Sequence, residues 1–276
     1  MLASTSHPAA AVARLAELSL PGRVHLGLTA TEPVPRLSSG IARVDALLGG
    51  GVPRGRISEL LGALTSGKTS LLLLLLAAAT RRGEVVACVD LADALYPASV
   101  AAAGADLQRV LWVRPPSITD GLRCTELLLQ AGGFAVVAFD IGVSPPRRFR
   151  SRVWPRLLYA AEQSHTALVV VAPRRVAGSS AVLSLGLRVR APLWLPGAWP
   201  LFDGFETTLQ VERNKLGAPG QSMLVKCGSP AAGFFPSPRW DFRFSPRQPP
   251  STGLRTGFET PPKEGGSSAQ PMAATK

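Results

Sequence analysis

Acidic residues are scarce in this chain relative to basic ones. Its 276 residues include 18 aspartates and glutamates against 30 lysines and arginines, which gives a formal net charge of +12. Charge of one sign at this level opposes compaction unless an anionic partner offsets it, so nucleic acid is the first candidate partner and an acidic protein the second. A genome rich in arginine codons would produce the same excess without any such partner.

Cysteine and histidine are also in short supply. The cysteines are odd in number and include no C-x-x-C pair, which predicts small core residues in a reducing compartment. The histidines are isolated and lack the spacing of metal ligands. These residues are Cys88, Cys124, Cys227, His7, His25 and His165.

No apolar run is long enough to span a membrane. The most apolar stretch, residues 71–79, is far shorter than the roughly 20 residues that a span requires, and it predicts a buried helix. The N-terminus has no basic start followed by an apolar block, so no export signal is expected. We therefore predict a cytoplasmic protein with no membrane partner.

Residues 62–69, with the sequence GALTSGKT, satisfy the pattern G-x-x-x-x-G-K-[ST] of a loop that wraps nucleotide phosphates. An apolar stretch, residues 57–61, precedes this loop, and a helix-forming run, residues 70–80, follows it. In that context, backbone N–H groups and a helix N-terminus converge on one anion. The alternative is a Gly-Ser turn that carries an exposed lysine.

Each residue type in the loop has a physical role. Gly62 and Gly67 allow backbone angles that a side chain forbids, and Lys68 places a compact charge against the β- and γ-phosphates. The Thr69 hydroxyl suits Mg²⁺, which prefers hard oxygen ligands. We therefore predict ATP and Mg²⁺ as cofactors. The loop residues expected to bind ATP are Gly62, Ala63, Leu64, Thr65, Ser66, Gly67, Lys68, Thr69 and Ser70.

Between residues 37 and 227 the chain alternates apolar, β-rich runs with helical runs, which predicts an α/β fold with a mostly parallel central sheet flanked by helices. Residues 1–36 are expected to form a short helix and linker. Residues 228–245 contain aromatic side chains that either pack on the core or bind a partner, and the Pro-, Ser- and Gly-rich residues 246–276 are expected to be disordered. The predicted strands are residues 57–61, 85–90, 110–113, 134–139, 167–172, 207–212 and 222–226.

Several motifs around the phosphate loop resemble bacterial RecA and its relatives. The matching residues follow one another in the order found in that family: residues within 38–56 together with Glu59, the segment VDLADALYP at 89–97, the segment AGADL at 103–107 and the segment VERNKLGAP at 211–219. The resemblance covers residues 37–227 and implies a RecA-like P-loop NTPase core. It also implies that Tyr96 contacts ATP.

The resemblance implies roles for three more residues. Asp140, which closes an apolar run, is similar to the Walker B aspartate that supports magnesium together with Thr69. Arg213 and Lys215 match two basic positions that reach the nucleotide of the neighbouring subunit in recombinase filaments. A RecA-type filament or a self-oligomer is therefore an implied partner, with two solvated charges on an edge strand as the alternative.

Two departures from the family pattern bear on catalysis. The family's glutamate that activates the attacking water falls at Ala92, which cannot accept a proton, and loss of a general base commonly costs about 10² to 10⁴ in rate. Asp93, one residue further along, is the candidate for a replacement base, but its side chain is one methylene shorter. The family's polar sensor falls at Pro173. We therefore expect weak or absent ATP hydrolysis.

Two arginine clusters occupy the segments that correspond to the DNA loops of the family. The first is interleaved with Phe149 and Trp154, as a groove for single-stranded DNA would require, because arginines meet phosphates and aromatic rings meet bases. A solvated basic helix face and a binding face for an acidic protein are the alternatives. Both clusters are expected on one side of the sheet. The predicted DNA-binding residues are Arg147, Arg148, Arg150, Arg152, Arg174 and Arg175.

Retained phosphate binding combined with missing catalytic residues is similar to the ImuA-type proteins, RecA-related accessories of error-prone translesion polymerases in the bacterial SOS response. The resemblance implies an ATP-binding DNA-repair accessory. Its implied partners are single-stranded DNA, a RecA-type filament and a translesion polymerase complex. An active DNA-dependent ATPase or recombinase is the first alternative, and a regulatory nucleotide-binding module without DNA contact is the second.

Overall fold

A computed structural model describes residues 34–146, 149–150, 152–195, 201–228 and 239–243, the last five and residues 227–228 at the level of the backbone. The predicted N-terminal helix, most of the predicted tail, and Arg147 and Arg148 of the first arginine cluster lie outside the described residues. Among the described helices, none has the length and apolar character needed to cross a membrane.

The described part of the chain is built on one nine-stranded sheet, with a separate two-stranded pair beside it. The strands are β1 (Arg36–Leu37), β2 (Val52–Pro53), β3 (Ile57–Leu61), β4 (Val85–Asp90), β5 (Val110–Val113), β6 (Phe134–Asp140), β7 (Ala167–Ala172), β8 (Ala181–Leu195), β9 (Leu201–Asn214), β10 (Ser222–Gly228) and β11 (Arg239–Arg243). The order in the large sheet is β11-β10-β9-β8-β3-β7-β6-β4-β5. From β8 to β5 all neighbours are parallel, and β9, β10 and β11 extend the sheet by antiparallel pairing.

Helices cover both faces of this sheet. They are α1 (Ala42–Leu48), α2 (Lys68–Arg81), α3 (Pro97–Ala102), α4 (Ile118–Ala131) and α5 (Val153–Ser164). Apolar residues of α1, α2 and α3 join the hydrophobic cluster on one face, whereas those of α4 and α5 join the cluster on the other. Because the central strands are buried on both faces, they are continuous apolar runs, and all residues of β7 are buried.

The predicted fold class is confirmed, and β3, β4, β5 and β7 have the predicted bounds. Strand β6 runs one residue further than predicted, through Asp140. The sequence analysis missed β8 altogether and predicted only the central part of β9. The outer half of β8, residues 188–195, is exposed or half-buried, and its pairing with β9 shifts register between Val189 and Ala191. The inner half, AVLSLGL at residues 181–187, is buried and largely apolar, so an apolar run does mark that part of the strand in the sequence.

A buried carboxylate in the middle of β3 ties three elements together. Glu59 is fully buried, and its Oε1 accepts hydrogen bonds from the backbone N–H groups of Val176 and Ala177, both at 2.8 Å. Its Oε2 accepts a hydrogen bond from the Ser184 hydroxyl on β8 at 2.7 Å, and Arg175 Nε lies 4.0 Å away. These bonds offset the cost of burying the carboxylate. The segment after β7, which carries the second arginine cluster, is thereby fixed to the sheet.

Substitution of Glu59 should therefore destabilise the fold to a degree that depends on the acceptor that remains. Glu59→Ala removes the acceptor of two backbone N–H groups and one hydroxyl, so the free energy of unfolding should fall by about 3 kcal/mol. Glu59→Gln keeps one oxygen for the two N–H groups and should lose about half as much. Urea denaturation of both variants and the wild type checks this expectation, and equal losses in the two variants would contradict it.

Candidate functional site

The loop at residues 62–67, called the phosphate loop from here on, joins β3 to α2 at the carboxyl edge of the parallel strands. A Cβ atom at Gly62 would lie 2.3 Å from Ser66 Oγ and 2.7 Å from the Leu187 carbonyl oxygen, so only glycine fits there. Gly67 caps α2 with a left-handed φ of 91°. The two glycines of the sequence motif therefore have two different requirements, close approach at position 62 and a left-handed backbone at position 67.

Lys68 is the first residue of α2 and is only 7% exposed. Its Nζ donates a hydrogen bond to the Ala63 carbonyl oxygen at 3.0 Å, across the phosphate loop. Burial lowers the pKa of the Lys68 ammonium, and the negative charge of Asp140 partly raises it again. An ammonium group has three donors. Lys68 can therefore bond to an anion in the loop as well as to the loop itself.

Asp140 lies at the end of β6, directly opposite Asp90 at the end of β4. Burial raises the pKa of the Asp140 carboxyl, a 2.9 Å hydrogen bond from the Gly142 N–H lowers it, Asp90 raises it and Lys68 lowers it. This carboxyl is therefore a partly buried anion with a cation nearby, at the edge of the sheet where the phosphate loop also lies.

Asp90 is buried and only half satisfied. Its Oδ2 accepts hydrogen bonds from the Leu95 N–H at 2.8 Å and from Trp112 Nε1 at 3.3 Å. Its Oδ1 has no hydrogen-bond partner among the described residues. An unpaired carboxylate oxygen in a buried position favours a bound water or cation nearby.

The residues at this edge fit a magnesium ion better than a metal held entirely by protein. The described residues contain no group of three or more His, Cys, Asp or Glu side chains that could hold a metal. Mg²⁺ usually takes one or two protein oxygens and completes its shell with phosphates and water. Thr69, which follows Lys68 on α2, and Asp140 offer a hydroxyl and a carboxylate of that kind.

The segment after β4 contains the predicted replacement base. Asp93 is exposed in a left-handed conformation, with φ of 51°, and its Oδ1 lies 3.4 Å from Arg114 Nη1. Arg114 follows β5, on the side of β4 away from β3, and its guanidinium lies over the Trp112 ring. Ala92 is also exposed. The Asp93 carboxylate is thus engaged with an arginine on the far side of β4.

Tyr96 is brought close to the start of α2. Its side chain is 66% exposed, and it lines a cavity of about 340 Å³ together with Thr69, Ser70, Leu73 and Ser99. An aromatic ring, two hydroxyl-bearing residues at a helix N-terminus and an apolar wall suit a nucleoside more than a bare phosphate. Tyr96, Thr69 and Ser70, which were predicted separately, therefore share one cavity.

The second arginine cluster borders the phosphate loop. Arg174 and Arg175 line a cleft of about 610 Å³ with residues 61–66 of β3 and the loop, and Arg188 of β8 lines the same cleft. Arg174 Nη2 donates hydrogen bonds to the carbonyl oxygens of Pro145 and Pro146, at 3.2 and 3.0 Å. The segments after β6 and β7 are thus adjacent. Arg150 and Arg152 of the first cluster line cavities beside α4 and α5 rather than this cleft.

The first cluster differs from its prediction. Trp154 is only 6% exposed and its ring packs edge-on against Phe149 at a centroid distance of 5.1 Å. The prediction that both rings would stack on bases is wrong for Trp154, because α5 turns this ring into the hydrophobic cluster under it. Arg150 and Arg152 precede α5 and stay near the surface.

Arg213 and Lys215 bind carbonyl groups of their own chain. Arg213 donates a hydrogen bond to the Gly178 carbonyl, and Lys215 Nζ donates one to the Ser179 carbonyl at 2.5 Å. Both side chains therefore hold the short 3₁₀ turn at Gly178–Ser180, just before β8. Contact with a neighbouring subunit's nucleotide would require them to release that turn.

Two supporting residues had no role in the sequence analysis. The buried Thr207 on β9 donates a hydrogen bond from its hydroxyl to the Ser66 carbonyl of the phosphate loop at 3.0 Å. Glu59 fixes the segment that carries Arg175. A glutamate inside the apolar run ISELL is a signal that could have identified Glu59. Threonine is common in strands, so no sequence signal marks Thr207.

A family model and two curated proteins show that part of this chain is similar in sequence to RecA. Residues 20–145 match the family model described as the RecA N-terminal domain. Protein RecA of Rubrobacter xylanophilus is 37% identical over 118 residues, which is 42% of this chain and 34% of that protein. Protein RecA of Arthrospira platensis is 37% identical over 117 residues, 42% of this chain and 32% of that protein. The matched segment thus spans about a third of these curated relatives.

Among solved structures, the crystal structure of the RadB recombinase resembles this fold. Its TM-score is 0.55 at 23% sequence identity, and the match covers 69% of this chain and 96% of that chain. At this identity the similarity concerns the fold. It extends the likeness beyond the segment matched by sequence, because 69% of the chain exceeds the 42% covered by the RecA proteins.

Substitution of Asp140 by asparagine should separate stability from magnesium binding. The raised pKa means that the folded protein holds the proton more tightly than the unfolded chain, so this group's contribution to the unfolding free energy falls as pH rises from the unfolded-state pKa through the folded-state pKa. Asp140→Asn removes that loss, so its melting temperature relative to wild type should rise from acidic to neutral pH without nucleotide. Its magnesium-dependent ATP affinity should fall about tenfold or more.

Thermal unfolding at an acidic and at a neutral pH measures the change in relative melting temperature. ATP titrations with and without Mg²⁺ measure the change in ATP affinity. A variant that is less stable than wild type at neutral pH would show that attraction between Asp140 and Lys68 outweighs the cost of burial.

Proposed function

From the match of residues 20–145 to the RecA N-terminal domain model, we propose that this chain is a RecA-like, ATP-binding accessory protein of bacterial DNA repair. The observation that carries the proposal is the position of Lys68, buried at the start of α2 beside the phosphate loop and Asp140. A buried ammonium has lost part of its hydration, and a bound triphosphate would replace it. ATP with Mg²⁺ is therefore the proposed ligand of residues 37–227, the proposed nucleotide-binding domain.

In the proposed complex, backbone N–H groups of the phosphate loop and the N-terminus of α2 bind the β- and γ-phosphates. Lys68 keeps its bond to the Ala63 carbonyl and donates a further hydrogen bond to a phosphate oxygen. The Thr69 hydroxyl and the Asp140 carboxylate hold Mg²⁺, which when bound neutralises charge on the phosphate oxygens. Tyr96 contacts the nucleoside in the cavity beside α2.

We propose that ATP hydrolysis is weak or absent. Ala92 offers no atom that accepts a proton from water, and the Asp93 carboxylate lies 3.4 Å from Arg114 on the far side of β4. A general base must reach the water that it activates, directly or through one more water. In this proposal, nucleotide binding changes the protein's partners rather than driving repeated turnover.

For nucleic acid, we propose that Arg174 and Arg175 contact the phosphates of single-stranded DNA. Both are exposed and line the cleft beside the phosphate loop, where the charge of Arg188 is paired with Glu212 at 3.5 Å. Their place beside the phosphate loop would let a bound nucleotide and a bound strand influence one another through the same segment. Arg147, Arg148, Arg150 and Arg152 remain predicted DNA contacts.

The proposed role is that of an adaptor in translesion synthesis during the SOS response. Retained ATP binding without a general base suits a protein that joins a complex, here single-stranded DNA or a RecA-type filament on one side and a translesion polymerase complex on the other. Arg213 and Lys215 would serve filament contacts after release of the turn at Gly178–Ser180.

The proposed location is the cytoplasm. Burial raises the pKa of the free Cys88 thiol to about 12, so this cysteine is inert, as suits that location.

The proposed ATP site is tested by removing its buried cation. Lys68→Ala should weaken ATP binding about 10- to 100-fold, because charged hydrogen bonds to phosphate are lost. The control is Arg43→Ala, which removes one positive charge from an exposed position on α1 and should bind ATP like wild type. Titration with a fluorescent ATP analogue measures both. Equal affinities for wild type and Lys68→Ala would overturn the proposal, and DNA-stimulated hydrolysis that requires Lys68 would favour an active ATPase.

The proposed DNA contacts are tested by salt dependence. Removing two phosphate contacts in Arg174→Ala/Arg175→Ala should reduce the slope of log K against log salt by about 1.4, since each contact to a single strand contributes about 0.7. The matched control, Arg43→Ala/Arg109→Ala, removes two exposed arginines elsewhere. Anisotropy with a labelled oligothymidine measures the slopes. Absence of binding at low salt would favour a regulatory nucleotide-binding module without DNA contact.

A further inference from the structure

A groove runs between α4 and α5 on the face of the sheet opposite to α2, and we call it the α4–α5 groove. It consists of two cavities of about 880 and 660 Å³, which share Glu126, Gln130 and Arg156. Residues of both helices form its walls, with Leu129 and Ala160 at the base of one cavity and Leu157 at the base of the other. Nothing in the proposed nucleotide site uses this surface.

The helices present apolar side chains outward along the groove, in addition to those buried in the core. On α4, Leu127 is 55% exposed, and on α5, Tyr159 is 65% exposed. Arg123, Leu127 and Gln130 follow one helical stripe of α4, and Arg156 and Tyr159 follow a matching stripe of α5, with Arg152 just before the first residue of that helix. Leu127 and Tyr159 are exposed next to apolar residues that line the two cavities, so together these side chains form an apolar surface to which a partner can bind.

The groove carries positive charge. Among the described residues, its walls include one carboxylate, Glu126, and four arginines. These arginines are Arg123, Arg150, Arg152 and Arg156. Arg156 is engaged with Glu126, while Arg123 and Arg150 have no ion-pair partner in the part of the chain that the structure describes. A ligand with carboxylates along its edges and apolar side chains along its centre would complement both features.

We propose that the α4–α5 groove binds an acidic, amphipathic helical segment of a protein partner. Leu127 and Tyr159 contact the apolar stripe of that helix, and the arginines pair with acidic side chains on its flanks. The proposal goes beyond the nucleotide site and does not depend on ATP binding. For Arg150 and Arg152, the proposal adopts one of the alternatives given for the first arginine cluster, a binding face for an acidic protein.

A nucleic acid fits the groove less well. Base stacking needs exposed aromatic rings, but Trp154 is buried and packs against Phe149, which leaves Tyr159 as the exposed ring of the described groove. The other apolar residues that line the groove include Ile118, Leu122 and Val153, which favour the aliphatic anchors of a helix.

The test uses the full chain and a synthetic peptide probe. The probe is a fluorescein-labelled peptide of about 18 residues, or about five helical turns, with leucines on one helical face and glutamates on the rest. Two control peptides are used. The first has the same composition in scrambled order, and the second has lysine in place of each glutamate. Fluorescence anisotropy should detect binding of the probe and little binding of either control.

Substitutions locate the binding site. Leu127→Asp and Tyr159→Asp should each weaken probe binding about tenfold or more, and Arg123→Glu should weaken it and reduce its salt dependence. The matched control is Leu107→Asp, which changes an exposed leucine outside the groove and should leave affinity unchanged. Circular dichroism and ATP titration of each variant distinguish loss of the groove from loss of the fold or of the nucleotide site.

Three results would overturn the proposal. The first is equal binding of the helical and scrambled peptides, since a specific groove must distinguish them. The second is unchanged affinity in Leu127→Asp and Tyr159→Asp. The third is displacement of the probe by an oligothymidine whose own binding falls to the same extent in the groove variants, because the groove would then be a nucleic-acid site.

Discussion

The phosphate loop is held against the sheet by strands on both sides of β3. The Gly62 N–H donates a hydrogen bond to the Ala172 carbonyl of β7 at 3.2 Å, and the Thr207 hydroxyl of β9 donates one to the Ser66 carbonyl at 3.0 Å. On β8, the Leu187 carbonyl leaves no space for a side chain at position 62. These contacts fix the loop to the sheet, which lowers the entropic cost of binding an anion. The nucleotide site, the arginine cleft and the path between them all depend on this attachment.

The buried charged groups in β3 and beside the phosphate loop differ in how fully they are hydrogen-bonded, and this difference separates structural from functional groups. Glu59 accepts three hydrogen bonds and serves the fold. Lys68 bonds to one carbonyl and Asp90 leaves one buried oxygen unpaired, both close to Asp140 with its raised pKa. Incompletely satisfied charges are costly in a fold unless a ligand completes them. Their clustering beside the phosphate loop supports a site for a triphosphate and a cation.

The central strands and the phosphate loop could be predicted from the sequence because local signals mark them. Continuous apolar runs identified β3, β4, β5 and β7, and the glycine pattern identified the loop. Strand β8 carries such a run only in its inner half, residues 181–187, and its full length could not be predicted because the outer half is exposed and the register shifts. The support from Thr207 and the inward packing of Trp154 depend on long-range contacts, which no local pattern encodes. The α4–α5 groove became visible only when the outer stripes of two helices were placed side by side.

The interaction on which the proposed function depends is the binding of the ATP phosphates by the phosphate loop. Isothermal titration calorimetry of the full chain with ATP and with adenosine, both in excess Mg²⁺, tests it most directly. Because the phosphates supply the charge that Lys68 and the loop amides bind, ATP should bind and adenosine should bind at least about 100-fold more weakly. Equal affinity for the two ligands, or no binding of ATP, would contradict the account.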